Sequence, residues 1–254
     1  MRASSQLCLL AAALFLRLPM ASATTQLEAR GLEAQAFHIS SEGSVEGVSV
    51  EKNGMGGIEE VFRAAGKPPV PVEMFVMSKC PDARDCVAKL VLPVMARLYD
   101  TGKLALQPTF IGTPDDSNGG MACMHGPDEC LGNIIELCAY KLYKSEPKRW
   151  LGFIYCMGNN YREIPKDEHV ASCAREFGLN VELLGQCASS DEMDQGMEML
   201  RTSARRAMQL RIKTSCTLTI NGKTACVRDG GAWKGCSGSV DDIVEQIQKA
   251  YDSQ

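Results

Sequence analysis

Twelve cysteines occur in this chain, and eleven of them lie between residues 80 and 236, at positions 80, 86, 123, 130, 138, 156, 173, 187, 216, 226 and 236. A chain this rich in thiols either binds metal or is cross-linked, and cross-links persist only in an oxidising compartment. The N-terminus is consistent with export. Arg2 supplies a positive charge, Leu7–Leu16 an apolar stretch containing Cys8, and Ala21–Ala23 a small-residue cleavage site, so residues 1–23 read as a signal peptide. That run is well short of the roughly 20 apolar residues a membrane-spanning helix needs. No membrane span is expected once the signal is removed. Eleven cysteines then remain, an odd number, so one must be free or paired between molecules.

Loss of Arg2 and Arg17 leaves 25 Lys+Arg against 31 Asp+Glu, a net charge of −6, which argues against a nucleic-acid partner. Residues 24–70 are rich in Gly, Ser, Glu and Ala without a sustained apolar period, and read as a flexible leader or propeptide with a short helix near IEEVFRAA. The KPPVP segment ending at Pro71 marks a boundary, so the domain is expected over 71–254.

Val72–Ser78 is a short apolar run bounded by turn residues, as in a buried strand. Pro81 favours a helix start. Cys86, Leu90, Val94 and Leu98 recur about once per turn to Gly102, and Pro93 is expected to kink this helix. Leu104–Gly112 reads as a second strand. Helices are expected at ECLGNIIELCAYKLY, at DEHVASCAREFGL and over Met193–Ile212. Cys216–Gly222 reads as a strand entering an Asn-Gly turn, KTACVRD as its hairpin partner, and SVDDIVEQIQKAYDS as a closing helix with Ser239 at its N-cap. Strand, helix and strand, then a cysteine-bearing helical stretch over about 113–190, then helix, hairpin and helix, is an α/β thioredoxin-like order carrying a disulfide-rich helical insertion. A small all-α cystine-rich protein with two incidental strands is the alternative.

In this order Cys80 sits just after a buried strand and just before a helix. Unpaired N–H groups and the positive end of the helix favour thiolate over thiol there. Lys79 adds positive charge and Asp82 opposes it. A resolving cysteine is usual three residues on, where this chain has Ala83. Cys86 lies about 9 Å away along a regular helix, beyond the roughly 4.4–6.8 Å a disulfide requires, so it can pair with Cys80 only if the first turn is unwound. Cys216 precedes a strand at the place where thioredoxin-like folds hold a cis-proline, and its sulfur is expected near that of Cys80. Cys80, Cys86 and Cys216 are the catalytic candidates. Cys226 and Cys236 flank a Gly-rich loop and are expected to pair. Cys123, Cys130, Cys138, Cys156, Cys173 and Cys187 are candidates for further structural disulfides. Cys123 with His125 admits a zinc reading, but the paired knuckle is missing, so no metal and no cofactor is expected. Arg205 and Arg206 read as a solvated helix face.

The segment CMHGPDECLGNIIELC, Cys123–Cys138, resembles the signature of the gamma-interferon-inducible lysosomal thiol reductase family. Cys123, His125, Gly126, Glu129, Cys130, Asn133 and Cys138 occupy all its fixed positions, and the resemblance extends over roughly residues 72–238. It implies a thioredoxin-like fold with a helical insertion, secretory targeting, and reduction of protein disulfides in an acidic compartment. The chain departs from the family at the chemistry. The first cysteine of its C-x-x-C falls on Cys80, the second on Ala83, and its cis-proline on Ser215 or Cys216. The expected function is thiol–disulfide exchange through a Cys80 thiolate, with disulfide-containing proteins as substrates. Cys86, Cys216 or a small-molecule thiol would resolve the intermediate. The expected location is extracellular, lysosomal or vacuolar. Two readings compete: a redox-inactive thioredoxin-like binding module with Cys80 in a structural disulfide, and a metal-binding or purely structural cystine-rich protein.

Overall fold

The computed structural model describes residues 67–115, 120–189 and 195–254. The signal segment, Cys8 and the helix expected near IEEVFRAA lie outside the described residues.

A five-stranded sheet carries the site, in the order β2-β1-β5-β6-β7. Strand β1 is Val70–Val76 and pairs in parallel with β2, Leu104–Phe110. Strands β5 (Thr217–Ile220), β6 (Lys223–Asp229) and β7 (Ala232–Lys234) follow antiparallel. The β5–β6 turn is Asn221-Gly222, both at positive φ (49° and 73°), which is why the Asn-Gly pair marks this hairpin. The loop expected between Cys226 and Cys236 contains β7, so the chain adds an edge strand there. A small hairpin, β3 (Thr113–Asp115) with β4 (Gly120–Ala122), follows β2. This sheet overturns the all-α alternative.

The helix after β1 runs in three parts: α1 (Pro81–Cys86), a π-helical segment (Val87–Val91) and α2 (Leu92–Leu98). Pro93 has no N–H to offer the carbonyl four residues back. Where the sequence predicts a kink, the helix widens by one residue, with Leu92 N bonded to Val87 O. Helices α3 (Pro127–Leu142), α4 (Pro147–Asn159), α5 (Asp167–Glu176) and α6 (Val181–Ser189) fill the stretch between β4 and α7 (Gln195–Gln209). Cys138–Cys187 joins α3 to α6, and Cys156–Cys173 joins α4 to α5. The chain closes with α8 (Val240–Asp252), whose Ser239 hydroxyl accepts the Asp242 N–H at 3.3 Å, as expected of an N-cap. Among the described residues no helix is long and apolar enough to cross a membrane.

Side chains alternate across β1. Val72, Met74 and Val76 enter the main core with Leu90, Val94 and Ile247. Phe75 joins Met77, Ile111, Ala207 and Ile212 in a second apolar cluster, against which Cys80 packs. On that same face Glu73 is buried and meets Arg206 of α7, with Gln107 and Thr109 as further donors. Arg206 therefore reaches from the exposed face of α7 to a buried carboxylate, its side chain still 41% exposed. Burial pushes the Glu73 carboxyl up, and the bonds from Arg206, Gln107 and Thr109 outweigh it and hold the carboxyl below its ordinary value.

Candidate functional site

Cys80 is the one free cysteine among the described residues, and it is half-buried. It is the N-cap residue of α1 with an extended backbone (φ −93°, ψ 125°), its carbonyl accepts Arg84 N at 3.2 Å, and Pro81 opens the helix. Its Sγ lies 3.7 Å from the carbonyl oxygen of Ser215. The reading that locks Cys80 in a structural disulfide is thereby corrected. The ten remaining described cysteines are paired, two by two, and leave this thiol over.

Cys86 and Cys216 are bonded to each other, with Cα atoms 6.3 Å apart, and both are buried. Cys86 lies on the core-facing stripe of the helix with Leu90 and Val94, which brings it under the sheet where β5 begins. The Ser215–Cys216 peptide is cis, at the position the fold usually gives to a cis-proline. The Ser215 hydroxyl accepts Met77 N at 3.0 Å, and Cys216 exchanges both backbone bonds with Arg228. Thus the structure gathers Cys80, Cys86 and Cys216 at one end of the sheet and keeps only Cys80 as a thiol. Ala83 occupies the usual resolving position and is buried.

The charges near Cys80 differ from those the sequence suggests. Lys79 donates to the carbonyl of Ile164 at 2.6 Å and lies 3.9 Å from Asp128, so its ammonium is committed to the insertion. Asp82 accepts the Gly230 and Gly231 N–H groups, both at 2.9 Å, and stands 3.6 Å from the guanidinium of Arg228. Its charge is answered on the β6–β7 side. Arg228 also bonds Asp85 at 2.7 Å and lies over the Trp233 ring, with its side chain only 8% exposed. Asp85 is further held by Lys89 and Arg84, and these partners keep its carboxyl far below the ordinary carboxylate range. Sequence reasoning missed Arg228. The signal is the alternation along β6, where Cys226 and Arg228 share the inward face.

The signature segment buttresses the Cys80 loop. Cys123 is bonded to Cys130, so neither offers a thiolate to a metal, and among the described residues no cluster of His, Cys, Asp and Glu could hold one. Gly126 opens α3 at φ 86°, a conformation suited to glycine. The Glu129 carboxylate accepts the His125 N–H at 3.2 Å and meets the His125 ring Nδ1. Asn133 accepts Ser78 N at 2.9 Å through Oδ1, while its amide nitrogen lies 3.8 Å from Cys123 Sγ. The Ser78 hydroxyl donates to Glu129 O at 3.2 Å. A Cβ on Gly132 would meet Ser78 Oγ at 2.6 Å, which is why α3 can approach so closely. Glu136 continues the stripe of Glu129 and Asn133 at helical spacing and is buried among Ser78, Ala83, Arg84, Val87, Ile154 and Gly158. Burial raises its pKa well above the ordinary value, and repulsion from Glu129 adds to the rise.

Residues 71–177 match the family described as gamma interferon inducible lysosomal thiol reductase (GILT). The chain is 28% identical over 166 residues to GILT-like protein 1 of Drosophila melanogaster, covering 59% of this chain and 64% of that one. It is 31% identical over 103 residues to the gamma-interferon-inducible lysosomal thiol reductase of Carassius auratus, covering 40% of each. It therefore spans less than two thirds of either relative. Among solved structures it is similar to DsbA of Chlamydia trachomatis, with a TM-score of 0.51 at 16% identity over 74% of this chain and 91% of that one. It is also similar to oxidised BdbD of Bacillus subtilis, with a TM-score of 0.50 at 15% identity and the same coverage. These likenesses confirm the thioredoxin-like fold with its disulfide-rich helical insertion. Over residues 71–177 the chain thus matches the gamma interferon inducible lysosomal thiol reductase family, and its curated relatives support that assignment.

Proposed function

We propose that this chain is a thiol–disulfide oxidoreductase of the secretory pathway that reduces protein disulfides through Cys80, acting in a lysosome, a vacuole or outside the cell after loss of residues 1–23. The observation that carries the proposal is the single free thiol, half-exposed at a strand–helix junction beside the Ser215–Cys216 segment, in a chain whose other described cysteines are all bonded. The Cys80 thiolate attacks one sulfur of a substrate disulfide. A Cys80–substrate disulfide forms, and the other substrate sulfur leaves as a thiolate that takes up a proton. With Cys86 and Cys216 bonded to each other, the resolving electrons come from a small-molecule thiol. Its thiolate attacks the Cys80 sulfur and frees the second substrate thiol. A second equivalent then restores Cys80 and leaves as the oxidised small disulfide. Where the Cys86–Cys216 bond is first reduced, either of those cysteines becomes a candidate resolver.

A second reading, a binding module without turnover, is favoured by Ala83 at the resolving position. Cys80→Ser separates the two. The oxidoreductase reading expects exchange with a model protein disulfide to be abolished while the fold and the five bridges persist on a non-reducing peptide map. It also expects an alkylation-trapped mixed disulfide in the wild type. Equal exchange by the wild type and a folded Cys80→Ser chain would leave the binding module.

A further inference from the structure

A groove of about 710 Å³ opens beside Cys80, between α7, the end of β2 and the start of the signature segment. Its floor is Met77, Ile111, Ala207 and Ile212, four residues of the second apolar cluster against which Cys80 itself packs. Cys80 is not itself a lining residue, and the shared cluster is what joins the groove to the thiol. Two flexible thioethers line it, Met124 at 74% and Met208 at 57% exposure, and they are among the large apolar side chains this chain leaves in solvent. Unbranched thioethers repack around varied apolar partners at little cost. Arg211 and Lys213 complete the lining, both exposed, and neither has an ion-pair partner among the described residues. Among the described residues no acidic one lines the groove. In a chain whose overall charge is negative, two cations without an ion-pair partner among the described residues give this groove a local field of opposite sign.

We infer that this groove selects the substrate segment next to the target disulfide, and that the segment it takes is an extended one with apolar and acidic side chains. The inference rests on the Cys80 reading for its role in turnover. The binding itself does not depend on that reading. Apolar side chains enter between Met124, Met208 and the floor. Carboxylates face Arg211 and Lys213. Exposed pairs of this kind contribute little singly, so the effect is one of selection and encounter rather than of tight binding.

The test uses the full chain with Cys80→Ser and short labelled peptides in which leucines alternate with aspartates, with asparagines or with lysines, none containing cysteine. The expected order of binding by fluorescence anisotropy is aspartate, then asparagine, then lysine, with about fivefold or more between the extremes at low salt. The spread should narrow as ionic strength rises. Arg211→Glu with Lys213→Glu should invert the order, and Met124→Ser with Met208→Ser should weaken all three peptides alike. Equal binding of the three, or an order unmoved by charge reversal, overturns the inference. Exchange kinetics on the chain with Cys80 intact keep the two claims apart. If a small neutral disulfide fails to react while the peptides bind in the expected order, the redox reading falls and the groove stands. If it reacts and the peptides do not discriminate, the groove falls alone.

Discussion

The two sides of the helix that begins at Cys80 are held by different physics. Toward the sheet, Cys86 is covalently joined to Cys216, and Asp82 and Asp85 grip Arg228 and the Gly230–Gly231 backbone. Toward the insertion, Ala83 and Val87 face Ile154, Gly158 and the buried carboxyl of Glu136, which has no hydrogen-bond partner among the described residues. One side is cross-linked and charge-paired. The other is packed around Glu136, with Arg84 also lining it. The strand–helix junction is thus fixed relative to the sheet at every pH where Asp85 stays ionised, while its fit to the insertion depends on a proton.

The strongest way to break this contrast is to remove the covalent link. The Cys86–Cys216 bridge spans a sequence separation of 130 residues, although other bridges within that span already shorten the free chain. Changing both cysteines to serine is expected to cost about 2–4 kcal/mol, mainly through the freedom returned to the unfolded state. Denaturant unfolding under non-reducing conditions measures it. An unchanged midpoint would mean that the Arg228 network alone fixes the junction, and the sheet side would lose its covalent distinction.

A smaller effect tests the insertion side. A carboxyl whose pKa is raised by folding binds its proton more tightly in the folded chain than in the unfolded one. The stability it contributes is full below its ordinary value of 4.5 and is lost as pH climbs through the folded value. Glutamine has no proton to lose. Glu136→Gln should therefore match the wild type near pH 4.5 and become progressively the more stable of the two as pH rises. Glu73 and Asp85, both held below their ordinary values, act in the opposite sense and weaken the fold only in acid, equally in the two proteins. Parallel stability curves for wild type and variant from pH 4.5 upward would show that Glu136 finds a partner when ionised.

The sequence reveals more of the sheet side's architecture than of its interactions. β-Branched runs, the Asn221-Gly222 turn and the Ser239 cap are local signals, and the corresponding elements form where those signals lie. The helical period even places Cys86 on the core stripe. What it leaves open is the partner, because the pairing with Cys216 joins positions that only the folded sheet brings together. The partners of Asp82 are hidden for the same reason. Its position in the first turn suggests an anion set against the Cys80 thiolate, while the β6–β7 hairpin that engages it is distant in sequence. Glu129 and Asn133 stand out in the sequence as signature positions of α3, and Glu136 does not. Their burial follows only from how closely Gly132 lets that helix approach Ser78.

The smallest expected effect sharpens the contrast at Asp82 itself. Asparagine keeps one carbonyl oxygen for the Gly230 or Gly231 N–H and loses the attraction to Arg228. Asp82→Asn should then lower stability by about 0.5–1.5 kcal/mol. Its effect on Cys80 distinguishes two accounts. If Arg228 and the two backbone donors already answer the Asp82 charge, the rate of Cys80 alkylation at fixed pH should change by less than about twofold, within the range of a screened surface charge. If Asp82 still acts on the thiol through space, neutralising it should speed alkylation severalfold, and the effect should shrink with added salt. The first outcome makes the hairpin a shield as well as an anchor for the reactive end of the helix. The second would reduce the Asp82 contacts to anchoring alone.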